Sequence, residues 1–421
     1  MRVHVGPATG TGRAGTSDDE PPLSGVKVLD LSTSYAGPTA TMYLADLGAD
    51  VIKVERPGTG DDARSWGPPF VDDVSAWFAS ANRNKRSIVI DLRQPEGQAL
   101  LYELLGKTNV VVESFNPIKL RQLGLSPEEV CARFPRLIFC ALSGFGLTGP
   151  DAKLPGYDLI AQARSGIMSV TGERGRSPQR VSTALSDVVA GLAAALAVTA
   201  ALRRQERTGR GELIDVSLLE AALALMAPRI ASYLAGEAEP QPSSATDSVL
   251  AIYQTFATGD GSVAIAIGNG AIWQRFCEAA GLADLGKDSR LRDNHGRRRH
   301  RDTIVRAISE TVARRTTKYW VDKLSAAGVP VAPVQSLGTV LTDPHVVARE
   351  AIVPLIAEGQ LYGVRSPWRL RSHPDVPRRA VPSLGAHTQE VLAEAGMDPL
   401  SIEELRRAGA FGTVGSEEGA T

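Results

Sequence analysis

From Val26 onward, short apolar runs rich in β-branched residues alternate with stretches of helical period. "VKVLDLS" reads as a strand and "VIKVERPG" as a second, stopped by Pro57. Between them "PTATMYLADLGAD" reads as a helix, with Pro38 at its start and Gly48 after its end. Strand "SIVIDL" (87–92), helix "PEGQALLYELLGK", strand "VVVESF" (110–115), helix "SPEEVCARFP" and strand "LIFCALSGFG" (137–146) follow. Alternation at this spacing predicts βαβ units and a parallel sheet, with ligands beyond the carboxyl ends of its strands.

A long apolar helix comes next, in "STALSDVVAGLAAALAVTAALRRQ". Asp187 stands at its mouth, ahead of fifteen uncharged positions, 188–202. Two readings are open on the local pattern. Asp is a good N-cap, because its oxygen accepts an orphan backbone N–H. The same place suits a reactive carboxylate, kept ionised by the helix N-terminus and desolvated by apolar neighbours.

Strand "GELIDVS" and a single helix "LLEAALALMAPRIASYL" lead to "EAEPQPSSATD" (237–247), which has the composition of a linker. Beyond it "VLAIYQTFATGDGSVAIAIGN" alternates about a central turn, as a hairpin does, and helices with Trp273 and Trp320 follow. These patterns divide the chain into a leader (1–22), a large domain (23–236), the linker, a smaller domain (248–334), a return to the large domain (335–407) and a loose tail (408–421).

At 421 residues the chain exceeds what one core usually holds, which agrees with two domains. A formal net charge of −1 gives no signal for nucleic acid or a membrane surface. The basic run "GRRRHRD" (296–302) is short and lacks interleaved aromatics, so it reads as a solvated loop opening a helix rather than a phosphate patch. Cys131, Cys140 and Cys277 show no C-x-x-C spacing and read as buried thiols in a reducing compartment. The N-terminus lacks an apolar signal core, and the longest uncharged apolar stretch falls short of the ~20 residues of a membrane span. The expectation is a soluble, cytoplasmic protein. There is no G-x-G-x-x-G after the first strand, no P-loop, no H-E-x-x-H, no G-x-S-x-G and no histidine pair at metal spacing. NAD, ATP, metal and serine-hydrolase chemistry therefore have no motif to stand on.

Eight blocks, in order, resemble the class III CoA-transferases, the family of formyl-CoA transferase, carnitine CoA-transferase and α-methylacyl-CoA racemase. They are "LSGVKVLDLSTSYAGPTATMYLADLGADVIKVERPGTGD", "NRNKRSIVIDLRQPEG", "VVVESFNP", "LIFCALSGFGLTGP", "PGYDLIAQARSGIMSVTG", "TALSDVVAG", "RTGRGELIDVSLLEA" and "PSLGAHTQEVL". The resemblance implies an open, Rossmann-like α/β large domain built from both chain ends, an inserted smaller α+β domain, and an interlinked homodimer. It implies an acyl-CoA donor, a small organic acid as acceptor, coenzyme A as the carried group, and neither metal nor NAD. Asp187 matches the family's catalytic aspartate, which forms covalent aspartyl intermediates; Asp158 in "GYD" matches a position that is not the nucleophile. Tyr35, Ala36, Arg56, Ile90, Asp91, Leu92, Arg93, Ser114, Phe115, Asn116 and Tyr157 match CoA-contacting positions. "SGFGLTGP" and "IGNGAI" are candidate oxyanion loops.

Departures narrow the reading. Gln122 stands where the family often carries an arginine. The small domain lacks the glycine run of formyl-CoA transferases, which speaks against oxalate and formate. Tyr157 replaces a racemase histidine and Ala257 a racemase glutamate, so transfer is favoured over a racemase-like isomerase. A silent CoA-binding protein is the third alternative.

Overall fold

The structure, a computed structural model, describes residues 20–244, 249–356, 361–371 and 379–412. The leader through residue 19, positions 245–247 of the expected linker and the tail from residue 413 lie outside them. The chain forms two compact units. One takes the chain up to Gly166, Val181–Ala227 and Pro344 onward; the other takes Ile167–Arg180 and Pro228–Asp343. Composition had placed the corresponding divisions at 236, 248 and 334.

The first unit is built on six strands: β1 (Lys27–Asp30), β2 (Asp50–Glu55), β3 (Lys85–Val89), β4 (Val110–Glu113), β5 (Ile138–Ser143) and β6 (Glu212–Ser217). All pair in parallel, in the order β3-β2-β1-β4-β5-β6. This is the doubly wound order, and it reverses between β1 and β4, where such sheets bind ligands. Apolar runs, not alternating ones, form the central strands because both faces are covered. One face buries Leu29, Ile52, Ile88, Val111 and Phe139 in a core that also takes Val391, Leu392 and Ile402 from near the C-terminus. Both chain ends thus build this unit, as expected.

Edge strand β3 is closed by the same C-terminal segment. His387 N–H donates to the Ser87 carbonyl at 2.9 Å, and Val89 N–H donates to Thr388 Oγ1 at 3.2 Å. The buried Arg86 guanidinium pairs with Asp50 at 2.6 Å and with Glu390 and Glu394 at 2.8 Å.

The long apolar helix spans Leu185–Thr208. At 24 residues, with an 18-residue window of mean hydropathy 1.9, it is long and apolar enough to cross a membrane by those measures alone. The sequence estimate fell short because the helix starts before Asp187 and continues past the uncharged run. Here its small-residue face packs on the helix Ala36–Asp46: a Cβ on Gly191 would lie 2.9 Å from the Ala36 carbonyl.

The expected single helix after "GELIDVS" is two, Leu218–Leu225 and Ala227–Leu234, broken at Met226. Pro228 supplies the reason, since it cannot donate back to the preceding turn. The second unit holds the expected hairpin, Tyr253–Ala257 against Ser262–Ala266, with Val331–Pro333 as a third strand. Its core gathers Trp273, Phe276, Ile304, Ile308, Trp320 and Leu324. The basic run is helical rather than a loop, in Asn294–Arg299 and Arg301–Val312. Arg297 is buried, its guanidinium 5.6 Å from the Trp273 ring centroid and donating to the Leu291 and Arg292 carbonyls. The three cysteines are free; Cys140 and Cys277 are buried and Cys131 is half-buried.

Candidate functional site

Two clefts in the first unit open beyond the carboxyl ends of the strands and share Thr33. The larger, about 500 Å³, lies over the ends of β1 to β4. Of the positions singled out in the sequence, Arg56, Ile90, Asp91, Leu92, Arg93 and Phe115 line it. The smaller, about 210 Å³, is lined by Tyr35, Ala36, Ser114, Asn116, Tyr157 and Asp187. All twelve candidate residues therefore line one of two neighbouring clefts at the β1/β4 reversal.

The wall of the larger cleft carries the cationic side chains of Lys53, Arg56, Arg93 and Lys119 beside the carboxylates of Glu55, Asp61 and Asp91. Arg56 pairs with Asp62, and its Nε donates to Thr59 Oγ1 at 2.8 Å. Arg93 clasps the buried Asp91 at 2.8 Å, holding that carboxyl below the usual carboxylate range. Lys119, unmarked in the sequence reading, also lines this cleft, and its ammonium has no carboxylate partner among the described residues. It stands one turn before Gln122 on the helix Pro117–Gln122. Phosphates and an adenine ring suit such a wall.

The partition between the clefts is a braced loop. Thr33 N–H donates to Ser114 Oγ at 3.0 Å, tying the turn after β1 to that after β4. Ser34 follows with φ of +71°, a left-handed value that costs a non-glycine residue energy. Asp61 Oδ1 accepts Ser34 N–H at 2.9 Å, and buried Lys53 holds Asp61 at 2.8 Å and the Ser32 carbonyl at 2.9 Å. Below them lie Asp30 and Lys85, 2.9 Å apart. Burial would raise Asp30, but Lys53 and Lys85 hold it well below the usual carboxylate range, while burial brings Lys85 down to about 8. Sequence patterning missed this group because buried charges inside strands look like pattern errors.

On the other side, the loops of Gly144 and Gly156 touch backbone to backbone. A Cβ on Gly144 would lie 2.6 Å from Gly156 Cα, and one on Gly156 2.4 Å from Gly144 Cα. Both line the smaller cleft, so only glycine on both sides lets it close this far. The second candidate loop, "IGNGAI", belongs to the other unit, where Asn269 caps the helix Gly270–Ala280 by accepting Ile272 N–H.

Asp187 occupies the third position of the Leu185–Thr208 helix, and the cap residue is Ala184. The capping reading is thereby overturned. Asp158 fills that need instead: its Oδ1 accepts Ser186 N–H at 2.7 Å. Asp187, half-buried, accepts no hydrogen bond among the described residues. Burial, and then the Asp158 charge, push its carboxyl up to about 7. The expected ionisation by the helix N-terminus is therefore outweighed by desolvation.

A doubly wound sheet, a cleft over its reversal with arginine and lysine on its wall, and a half-buried carboxylate beside it that accepts no hydrogen bond among the described residues fit an α/β enzyme acting on a nucleotide-tailed substrate. The chain belongs to CoA-transferase family III, whose model matches residues 23–388, and it is a CoA-transferase, moving CoA between an acyl thioester and an acid. It is 38% identical to the succinyl-CoA:glutarate CoA-transferase of Mus musculus over 93% of this chain and 91% of the relative. It is likewise 38% identical to the succinate–glutarate CoA-transferase of Agrobacterium fabrum, over 89% and 96%. A solved CAIB/BAIF family protein from Brucella suis superposes with a TM-score of 0.78 at 35% identity, over 89% of this chain and all of that one.

Proposed function

We propose that this enzyme carries CoA from a donor thioester to a free carboxylic acid by covalent catalysis at Asp187. An Asp187 oxygen attacks the thioester carbonyl; the C–S bond breaks, CoA leaves as thiolate and an acyl–aspartyl anhydride remains. The thiolate then attacks the aspartyl carbonyl, giving an aspartyl–CoA thioester and releasing the donor acid. The acceptor carboxylate attacks that thioester, forming a new anhydride and freeing the thiolate again. Attack of the thiolate on the acceptor's acyl carbon yields the new acyl-CoA and restores Asp187. Each step exchanges one acyl bond for another, so a difficult transfer becomes four easier ones.

The observation that carries this reading is the placement of Asp187, which accepts no hydrogen bond among the described residues, in the cleft that shares Thr33 with the larger one. A carboxylate without donors is a stronger nucleophile, and its burial supplies the desolvation. Arg56, Arg93 and Lys119 on the wall of the larger cleft suit the phosphates at the nucleotide end of CoA. Arg56, Ile90, Asp91, Leu92, Arg93 and Phe115 would line that end, and Tyr35, Ala36, Ser114, Asn116 and Tyr157 the thioester end. The relatives' names support succinyl-CoA as donor and glutarate as acceptor. The family resemblance, together with apolar residues left exposed such as Leu196 at 72% and Leu234 at 79%, supports a homodimer. The cytoplasm, where CoA thioesters and reduced thiols occur together, fits the free cysteines.

The experiment is to mix the protein with succinyl-CoA, quench with hydroxylamine and sequence its peptides by mass spectrometry. A hydroxamate on Asp187 is the expected result. Transfer to glutarate with Asp187 unmodified, or wild-type turnover by Asp187→Ala, would overturn the mechanism.

A further inference from the structure

Asp158 is a buried carboxylate that the transfer chemistry above does not use. Its Oδ1 accepts Ser186 N–H at 2.7 Å and its Oδ2 accepts Gln162 Nε2 at 2.7 Å. The orientation of Gln162 is fixed from its other end. Gln162 Oε1 accepts Val181 N–H at 2.9 Å, so Nε2 must face Asp158 and the carbonyls of Val181 and Thr183, at 3.4 and 3.3 Å. Both oxygens of Asp158 thus accept hydrogen bonds. The same bonds pin residues 181–186, the segment that delivers Asp187 into its cleft.

Other charges on elements packed around this helix are engaged elsewhere. Arg164 pairs with Asp151 and Glu212 with Arg204. Asp46 pairs with Arg83, Asp215 accepts Leu147 N–H, and Glu220 accepts the Ser217 hydroxyl. On the helix itself Arg203, Glu206 and Arg207 lie four turns or more beyond Asp187.

We infer that Asp158 is a positioning residue: clamped by Ser186 and Gln162, it fixes the first turn of the Leu185–Thr208 helix and sets a second acidic group beside Asp187, one residue from the N–H that it accepts. The inference rests on Asp187 being the nucleophile. The burial of Asp187 and its neighbour's charge act in the same direction, and only the second is removed by changing residue 158.

The test follows the rate of Asp187 acylation by succinyl-CoA against pH, read as hydroxamate, in wild type, Asp158→Asn and Asp158→Glu. Carboxylate attack needs the deprotonated form, so the wild-type rate rises with pH to a plateau. In Asp158→Asn the midpoint should fall by about one pH unit. In Asp158→Glu, which keeps the charge, the midpoint should stay within a few tenths of wild type while the plateau drops. A purely structural role would lower plateaus and leave midpoints alone. Equal midpoints in wild type and Asp158→Asn would overturn the inference while leaving the aspartyl mechanism intact; no hydroxamate in wild type would remove the mechanism itself. If Asp158→Asn does not fold, Asp158→Ser, which removes the acidic group in a smaller side chain, carries the same expectation.

Discussion

At the scale of residues, the site keeps a carboxylate where stability would prefer none. The Asp187 carboxyl is raised from 3.8 to about 7 in the folded protein. Between these values the folded state binds a proton that the unfolded state has released, so stability falls as pH rises from about 4 to 7. Asp187→Asn removes that penalty. The variant should lose transfer by at least ~10³-fold, as loss of a covalent nucleophile does. Its melting temperature should exceed wild type by roughly 2–5 °C at pH 8, and the two should converge towards pH 4. Thermal unfolding at both pH values checks the sign; a variant less stable than wild type at pH 8 would show that Asp187 is structurally supported. Local pattern singled out Asp187 at a helix mouth, whereas the eleven other candidates came from family resemblance, which carries positions that periodicity does not; all twelve line the two clefts. The role of Asp158 was not legible: nothing in "GYDLIAQ" announces that its carboxylate reaches Ser186, 28 positions on. Lys119 was hidden for a simpler reason, since a lysine on a short helix resembles any solvated face.

At the scale of elements, the strands were readable in order and type, while their ends were not. The strand expected over 87–92 occupies Lys85–Val89, because Lys85 and Arg86 read as polar boundary residues yet are buried in the sheet by their carboxylate partners. The capping reading failed because the helix recruits its cap from another segment, a tertiary choice that local preference does not contain. Helix packing, by contrast, is written in small residues. Gly191 lets the Leu185–Thr208 helix approach the Ala36 carbonyl, so Gly191→Val must push apart the two helices that carry Asp187 and Ala36. We expect about 1–3 kcal/mol of lost stability by denaturant unfolding, together with a raised KM for the thioester. Unchanged stability would mean that this interface has room that the geometry denies.

At the scale of the whole molecule, a chain-end-to-chain-end large unit was foreseeable only from family resemblance. Periodicity sees neighbours, whereas Val391 and Leu392 join a core begun near Leu29. The division after Ala227 was equally hidden: composition pointed to the Pro- and Ser-rich stretch from 237, but the chain leaves the first unit at the helix break before Pro228. The proposed homodimer predicts one species near twice 44.6 kDa by light scattering. A monomer at micromolar concentration would leave Leu196 and Leu234 facing water and would overturn it.

The closure of β3 by the C-terminal segment has a consequence in time. A ribosome adding about 5–20 residues per second delivers Glu394 roughly 15–60 s after Arg86, since 308 positions separate them. Throughout that interval a nascent chain carries an unzipped sheet edge and an arginine waiting for two of its three acids. Newly made copies are then at their stickiest while still tethered, and a premature stop codon near the end of the message would leave every copy in that state.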